Sequence, residues 1–193
     1  RRSIDTPLAM EGYKVRAIGA IHSDWLNNLG AAAQTMSAID MNQALDRDIV
    51  DGGIQGWSGM RTFGSFPLVD QAWDIPVGTT PFLLLINEQS WQRQPTSVQR
   101  AMLKHGGLDI ARSSGQAYAA IKQRIRTALR EAGKPVLMTP DASTQQALVE
   151  RSETLHTAWM SASSDRERTY SAAQALLSQL RAEAPSVSGS PAP

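Results

Sequence analysis

Apolar and polar positions change period along this chain, and each change marks an element. In KVRAIG (14–19), β-branched and apolar residues surround a single charge, which predicts a short strand. Ser23 then offers an N-cap, Trp25, Leu26 and Leu29 form one apolar face at helical spacing, and Gly30 supplies a stop. AAQTM (32–36) predicts a second strand, Ile39 to Arg47 a second helix, and IVDG leads into a third strand. Strands and helices alternating at this tight spacing predict a parallel α/β layer.

Past Gly59 the pattern coarsens. VGTTPFLLLINE (77–88) is nearly continuous in apolar residues, as expected of a long strand buried on both faces, with Pro81 marking an edge or bend. QPTSVQ follows, with Thr96 and Gln99 spaced as a capping box. The helix it opens is expected to run to Gly133 with a break near Gly106–Gly107, and Ile121, Ile125, Ala128 and Ala132 recur on one face. KPVLMTP predicts a short strand. Thr139 and Pro140 then predict a helix start, with Leu148, Leu155 and Trp159 as its buried stripe. A last helix, roughly 165–182, places Tyr170, Ala173, Leu177 and Leu180 together, and APSVSGSPAP reads as a disordered tail.

Composition narrows the chemistry. Apolar residues make up 41% of the 193, enough for a core, and 19 basic residues nearly balance 18 acidic ones. That balance gives no global field for nucleic acid or an anionic membrane. Cysteine is absent, which excludes thiolate metal sites and thiol catalysis. The longest apolar run, Phe82 to Ile86, is far shorter than the roughly 20 residues needed to span a bilayer.

NQALDRDIVDGGIQGWSG (42–59) holds four glycines around one tryptophan, so the backbone there turns sharply or lets something approach. GGIQG does not have the spacing of a dinucleotide loop. GWSGM lacks the second glycine of a nucleophile elbow, so Ser58 is not read as catalytic. His22, His105 and His156 lie far apart with no carboxylate at ligand spacing, and each is read as a surface or capping histidine. No catalytic residue, metal or cofactor is expected.

Arg16 is the unusual residue, a charge in the middle of a short strand. It either pairs with an acid such as Asp51 on a neighbouring strand or receives an anion, for which a guanidinium supplies two parallel hydrogen bonds. The residues alone leave both readings open. In open α/β sheets ligands gather at the carboxyl ends of strands, where Arg16 and the Gly52–Trp57 segment would meet.

Four stretches in order carry a resemblance: MEGYKVR, LGAAAQTM, ALDRDIVDG and INEQSWQRQP. Together they resemble the solute-binding proteins of tripartite ATP-independent periplasmic (TRAP) transporters, of the dicarboxylate-receptor type, from about Thr6 to Ala182. The chain departs from the family pattern at Ala33, where the family has proline, and at Asp48, where it has glycine. The resemblance implies a periplasmic-binding-protein-like α/β fold (type II-like), with one parallel-sheet lobe, a long crossing strand and C-terminal helices. Residues 1–76 would be the second ligand-binding lobe, 77–184 the crossing strand and helices packing between lobes, and 185–193 a disordered tail. Most of an N-terminal lobe would lie outside this sequence.

The resemblance also implies a function. The chain would be a periplasmic receptor, not an enzyme, that binds a small organic anion for membrane permease subunits. Arg16 matches the family's carboxylate anchor. Gln55 stands where many members have asparagine, Trp57 would pack on the ligand's carbon skeleton, and Trp73 would be a wall residue; Ala38 replaces an aromatic contact. The departures motivate an alternative, a degenerate receptor acting as a periplasmic sensor or partner-binding module. An apolar face after Pro95 is expected to lie exposed unless a homodimer or the missing lobe covers it.

Overall fold

A computed structural model describes residues 3–183. Three parallel strands form the first sheet, β1 (Lys14–Ala17), β2 (Ala32–Thr35) and β3 (Gly52–Gly53), in the order β2-β1-β3. Arg16 lies beside Gln34 on one side and Gly53 on the other. Two helices make the crossovers, α1 (Ala20–Asn28) and α2 (Ala38–Asp46). The expected parallel layer is therefore present, with β1 in its centre.

Local chemistry explains most boundaries. Leu29 and Gly30 close α1, and Gly30 takes a left-handed φ of 86° that other residues rarely adopt. Ser37 caps α2: its hydroxyl accepts from the Asp40 amide at 3.2 Å and donates to the Asp40 carboxylate at 2.7 Å. Asp51 locks the layer at its amino end. Its carboxylate accepts from the Lys14 amide, and its own amide donates to the Lys14 carbonyl, both at 2.8 Å. Asp48 holds a left-handed φ of 53°, which explains why a glycine suits that place in the family pattern.

Beyond β3 come α3 (Trp57–Thr62), a 3-10 turn at Phe66–Leu68, and β4 (Gln71–Trp73). Met41, Ala44, Leu45, Val50 and Met60 make a core cluster, with Met36, Phe66, Leu68 and Val69 packed against it. β4 pairs in parallel with the distant β5 (Val136–Met138) in a second, two-stranded sheet. Between them lie α4 (Glu88–Gln92), α5 (Thr96–His105) and α6 (Gly107–Ala132), the last closed by Gly133 at a φ of 69°.

Several local expectations change. Ser23 sits inside α1, and its hydroxyl meets that of Thr35 at 2.9 Å. Pro95 rather than Thr96 precedes α5, and the Gln99 amide donates to the Trp91 carbonyl. Asp141 caps α7 (Ala142–Ser161), accepting from the Thr144 amide at 2.7 Å, so the start falls two residues beyond Pro140. Backbone and side-chain hydrogen bonds from Thr144, then one from Ser143, hold the Asp141 carboxyl below its usual range.

The largest difference is in residues 77–87, which carry no strand. A strand needs ladder partners for its amides and carbonyls, and none runs beside this segment among the described residues. Gly78 at a φ of 101° and Pro81 also interrupt it. Phe82 to Leu85 stand at least 77% exposed, with the Phe82 ring stacked on Tyr118 of α6 at 5.8 Å. Val98, Met102, Leu103 and Leu108 are exposed as well, as expected for an uncovered apolar face.

The chain divides into two compact units, one ending at Gln145 and the other beginning at Gln146. The second holds most of α7 and α8 (Ser164–Glu183), where the His156 ring meets Tyr170 at 5.4 Å and Arg166 lies over Trp159. Leu148 is buried, while Leu177 and Leu180 remain exposed. The expected disordered tail lies outside the described residues.

Because both faces of the 82–86 run are open, charge there should leave the fold alone. Replacing Leu83 and Leu85 together by lysine should change stability by less than about 0.5 kcal/mol per site. It should also reduce self-association in size-exclusion chromatography; a large drop in melting temperature would show that the run is packed.

Candidate functional site

β1 carries Arg16 into the layer, where it is only 4% exposed. Its Nε donates to the Met36 carbonyl at 3.0 Å, and Nη1 donates to the Ile54 carbonyl at 2.7 Å. Met36 lies just beyond β2 and Ile54 just beyond β3, so the guanidinium bridges the carboxyl ends of both flanking strands. Of the two readings left open by the sequence, the ion pair with Asp51 is not made. Asp51 faces the Lys14 amide, and no acid pairs with Arg16 among the described residues. Burial pushes the guanidinium below its ordinary range, yet an arginine stays charged at neutral pH. Two of its five N–H donors are used on carbonyls.

Close packing fixes this geometry. A Cβ on Gly53 would come within 2.6 Å of Met41 Sδ and 3.1 Å of Arg16 Cβ, so glycine is what lets β3 lie beside the arginine.

His22, in the first turn of α1, faces the same charge. Burial first, then repulsion from Arg16, hold its imidazole below the ordinary value, and a hydrogen bond with Val77 works in the opposite direction. This histidine was expected at the surface or at a cap. Its neighbourhood to Arg16 follows from the β1–α1 turn, and sequence spacing carried no sign of it.

Gln55 follows Ile54 directly. Its amide nitrogen and oxygen are both buried, and neither has a hydrogen-bond partner. Trp57 begins α3; its indole N–H donates to Asp74 at 3.1 Å, and its ring stacks on Phe66 at 6.4 Å. Asp74 also receives Arg126 at 2.9 Å and Lys122 at 3.8 Å, both from α6. Trp73 stands on β4 in the second sheet with its indole N–H buried and unpartnered. Arg16 and the start of the Gln55–Trp57 segment are thus brought together. Trp73 connects to that segment through its neighbour Asp74, and no hydrogen bond joins it to Arg16.

Among the described residues no group of three or more histidines and acids is placed to hold a metal. No helix there is long and apolar enough to cross a membrane.

In open parallel layers ligands gather at the carboxyl ends of the strands, which is where the Arg16 guanidinium lies. The family model for bacterial extracellular solute-binding protein, family 7 (DctP), matches residues 1–162, and the chain belongs to that family. The fold agrees with solved TRAP solute-binding proteins, as the motif resemblance implied. One, from a marine metagenome, is specific for aromatic acid ligands and is in complex with metahydroxyphenylacetate. It is 22% identical with a TM-score of 0.77, and the match covers 86% of this chain and 54% of that one. A second, from Haemophilus influenzae with bound L-gulonate, is 14% identical with a TM-score of 0.77, covering 86% and 55%. A third, from Pseudomonas aeruginosa with bound L-malate, is 19% identical with a TM-score of 0.72, covering 82% and 55%. The chain thus spans about half the length of the structures it matches. No curated protein matches it in sequence.

His22 makes stability pH-dependent in a defined direction. Its folded-state value lies below the unfolded one, so the unfolded chain binds more protons as pH falls. Stability should be fully present above the unfolded value of about 6.5 and decline as pH drops through it toward the lower folded value. Chemical denaturation at pH 7.5 and 5.5 should show this decline, and His22→Gln should reduce it; an unchanged slope would place the imidazole in solvent.

Proposed function

We propose that this chain is the ligand-capturing part of a periplasmic receptor that binds a small organic acid and passes it unchanged to the membrane permease subunits of a TRAP-type transporter. The observation that carries the reading is Arg16, a buried guanidinium that has two carbonyl partners and pairs with no acid among the described residues. A buried charge is costly without a counter-ion, and a ligand carboxylate would supply one. Family membership supports the receptor class, and the acids bound by the neighbouring structures support the ligand class.

In this reading Arg16 is the anchor, and Gln55, Trp57 and Trp73 are further contacts. Trp57 offers a ring whose N–H is already held by Asp74, so it can only pack; Trp73 has a free N–H to donate. Residues 1–76 form the ligand-binding lobe. The exposed run 82–86, which carries no strand by itself, would become the crossing strand once a further lobe supplied ladder partners and covered both faces.

Arg16→Ala tests the anchor. Losing one partner of a buried charge pair costs about 2–5 kcal/mol, which corresponds to roughly thirty-fold to several thousand-fold in carboxylate affinity. The same change strips two carbonyls of their donors, so the melting temperature should fall as well. Arg16→Lys keeps the charge and should retain part of the affinity. Calorimetry against a panel of mono- and dicarboxylic acids reads both variants, and undiminished affinity in Arg16→Ala would overturn the assignment.

A further inference from the structure

The segment Ile54–Trp57 follows Gly52 and Gly53, contains Gly56 and leads into Gly59. Glycines open many conformations to a backbone, so a stretch built on them is not held by its own sequence. Here it is held from outside, and at both ends. At the first end the Ile54 carbonyl accepts from Arg16 Nη1 at 2.7 Å. At the second the Trp57 indole N–H donates to Asp74 Oδ1 at 3.1 Å, across 17 residues of chain. Each bond has one charged member, and such bonds are roughly twice as strong as neutral ones.

Asp74 is itself fixed from β5 and from α6. Its amide donates to the Met138 carbonyl at 2.8 Å, which pins its backbone at the end of the second sheet. Its other carboxylate oxygen, Oδ2, lies 2.9 Å from Arg126, and Lys122 lies 3.8 Å from Oδ1. Lys122 and Arg126 are one helical turn apart, so α6 presents both cations from one face. The Asp74 side chain is only 13% exposed, where salt screens a charge pair weakly. The carboxylate is thus placed without help from the indole, whereas the indole has one polar atom and Asp74 is its partner.

Trp57 is held in a second way, its ring stacked on Phe66 with centroids 6.4 Å apart. A hydrogen bond at the ring edge and a neighbour on one face leave the ring no free rotation. The residue is half-buried, so it keeps surface to offer.

We infer that Asp74 is a positioning residue for acid capture: anchored by Arg126 and Lys122 of α6, it clamps Trp57 and sets the Ile54–Trp57 segment in its receiving form before an acid arrives. The inference rests on the receptor reading and adds to it a residue that does not touch the acid. Order imposed in advance need not be imposed on binding. Releasing the clamp therefore weakens binding by about two- to tenfold, the cost of ordering one large side chain.

A double-mutant cycle on the full chain tests this, read by calorimetry against mono- and dicarboxylic acids, with metahydroxyphenylacetate, L-malate and L-gulonate among them. Trp57→Phe keeps a ring and removes its N–H; Asp74→Leu removes the acceptor. Each should weaken the acid that binds the parent by about two- to tenfold, and the double variant should match the poorer single within about twofold. Melting temperature should behave otherwise, because Asp74→Leu strips Arg126 of its partner and lowers it in both backgrounds. Arg126→Gln loosens the carboxylate without removing it, and should weaken binding in the parent but not in Trp57→Phe. This second cycle decides the matter if Asp74→Leu does not fold. Losses that multiply in the double variants, or an affinity that Asp74→Leu and Arg126→Gln leave unchanged, would overturn the inference and leave the receptor reading standing. No binding of any acid to the parent chain would overturn both.

Discussion

Everything near the site depends on one buried guanidinium. Arg16 sits on the central strand and reaches the chain beyond both flanking strands through the Met36 and Ile54 carbonyls. It thereby sets how the backbone leaves the sheet on either side. The His22 imidazole is held below its ordinary value by burial and then by this charge, and the chain enters Gln55 from the carbonyl that the guanidinium occupies. A hydrophobic residue at this position would pack the layer more cheaply. Retaining a cation there keeps a buried positive charge at the carboxyl edge of the sheet, at a desolvation cost that its two carbonyl partners offset only in part.

Away from that edge the polar groups are largely matched. Asp74 gathers Trp57, Arg126 and Lys122, joining the start of α3 to α6. Asn42 and Ser65 form another closed set: the Asn42 amide donates to the Phe63 carbonyl at 2.7 Å, and the Ser65 hydroxyl donates to Asn42 at 2.7 Å. Against this background Arg16 stands out, because among the described residues its partners are two carbonyls and no acid.

The layer was legible in the sequence because its signals are local. The apolar stripe of α1, the Gly30 stop and the Gly133 close each depend on neighbours within a turn, and all appear as read. The sheet, helix order and Arg16 followed from the same patterns together with the motif resemblance. What failed to show depends on distant partners. FLLLI satisfies every composition rule for a buried strand, but a strand exists only where another lies beside it. β4 is three residues long and is defined by β5, far along the chain. α3 begins in GWSG, whose glycines argue for a loop until the Asp74 contact fixes Trp57. His22 became informative only when folding brought it to Arg16. The orphaned amide of Gln55 could not be read at all, since satisfaction of a buried group belongs to three dimensions.

The two sheets differ in how much chain must be gathered to build them. β1, β2 and β3 pair across short crossovers within residues 14–53, whereas Gln71–Trp73 must wait for Val136–Met138. Closing a longer loop costs more entropy and is slower to nucleate. The first layer can assemble early in folding, while β4 stays unpaired until β5 has been gathered to it across α4, α5 and α6. The most apolar exposed stretch, Phe82 to Leu85, lies inside that unclosed loop. Its vulnerable interval is therefore set by the time β5 takes to find β4, which makes the rate of that one long-range pairing a determinant of refolding yield.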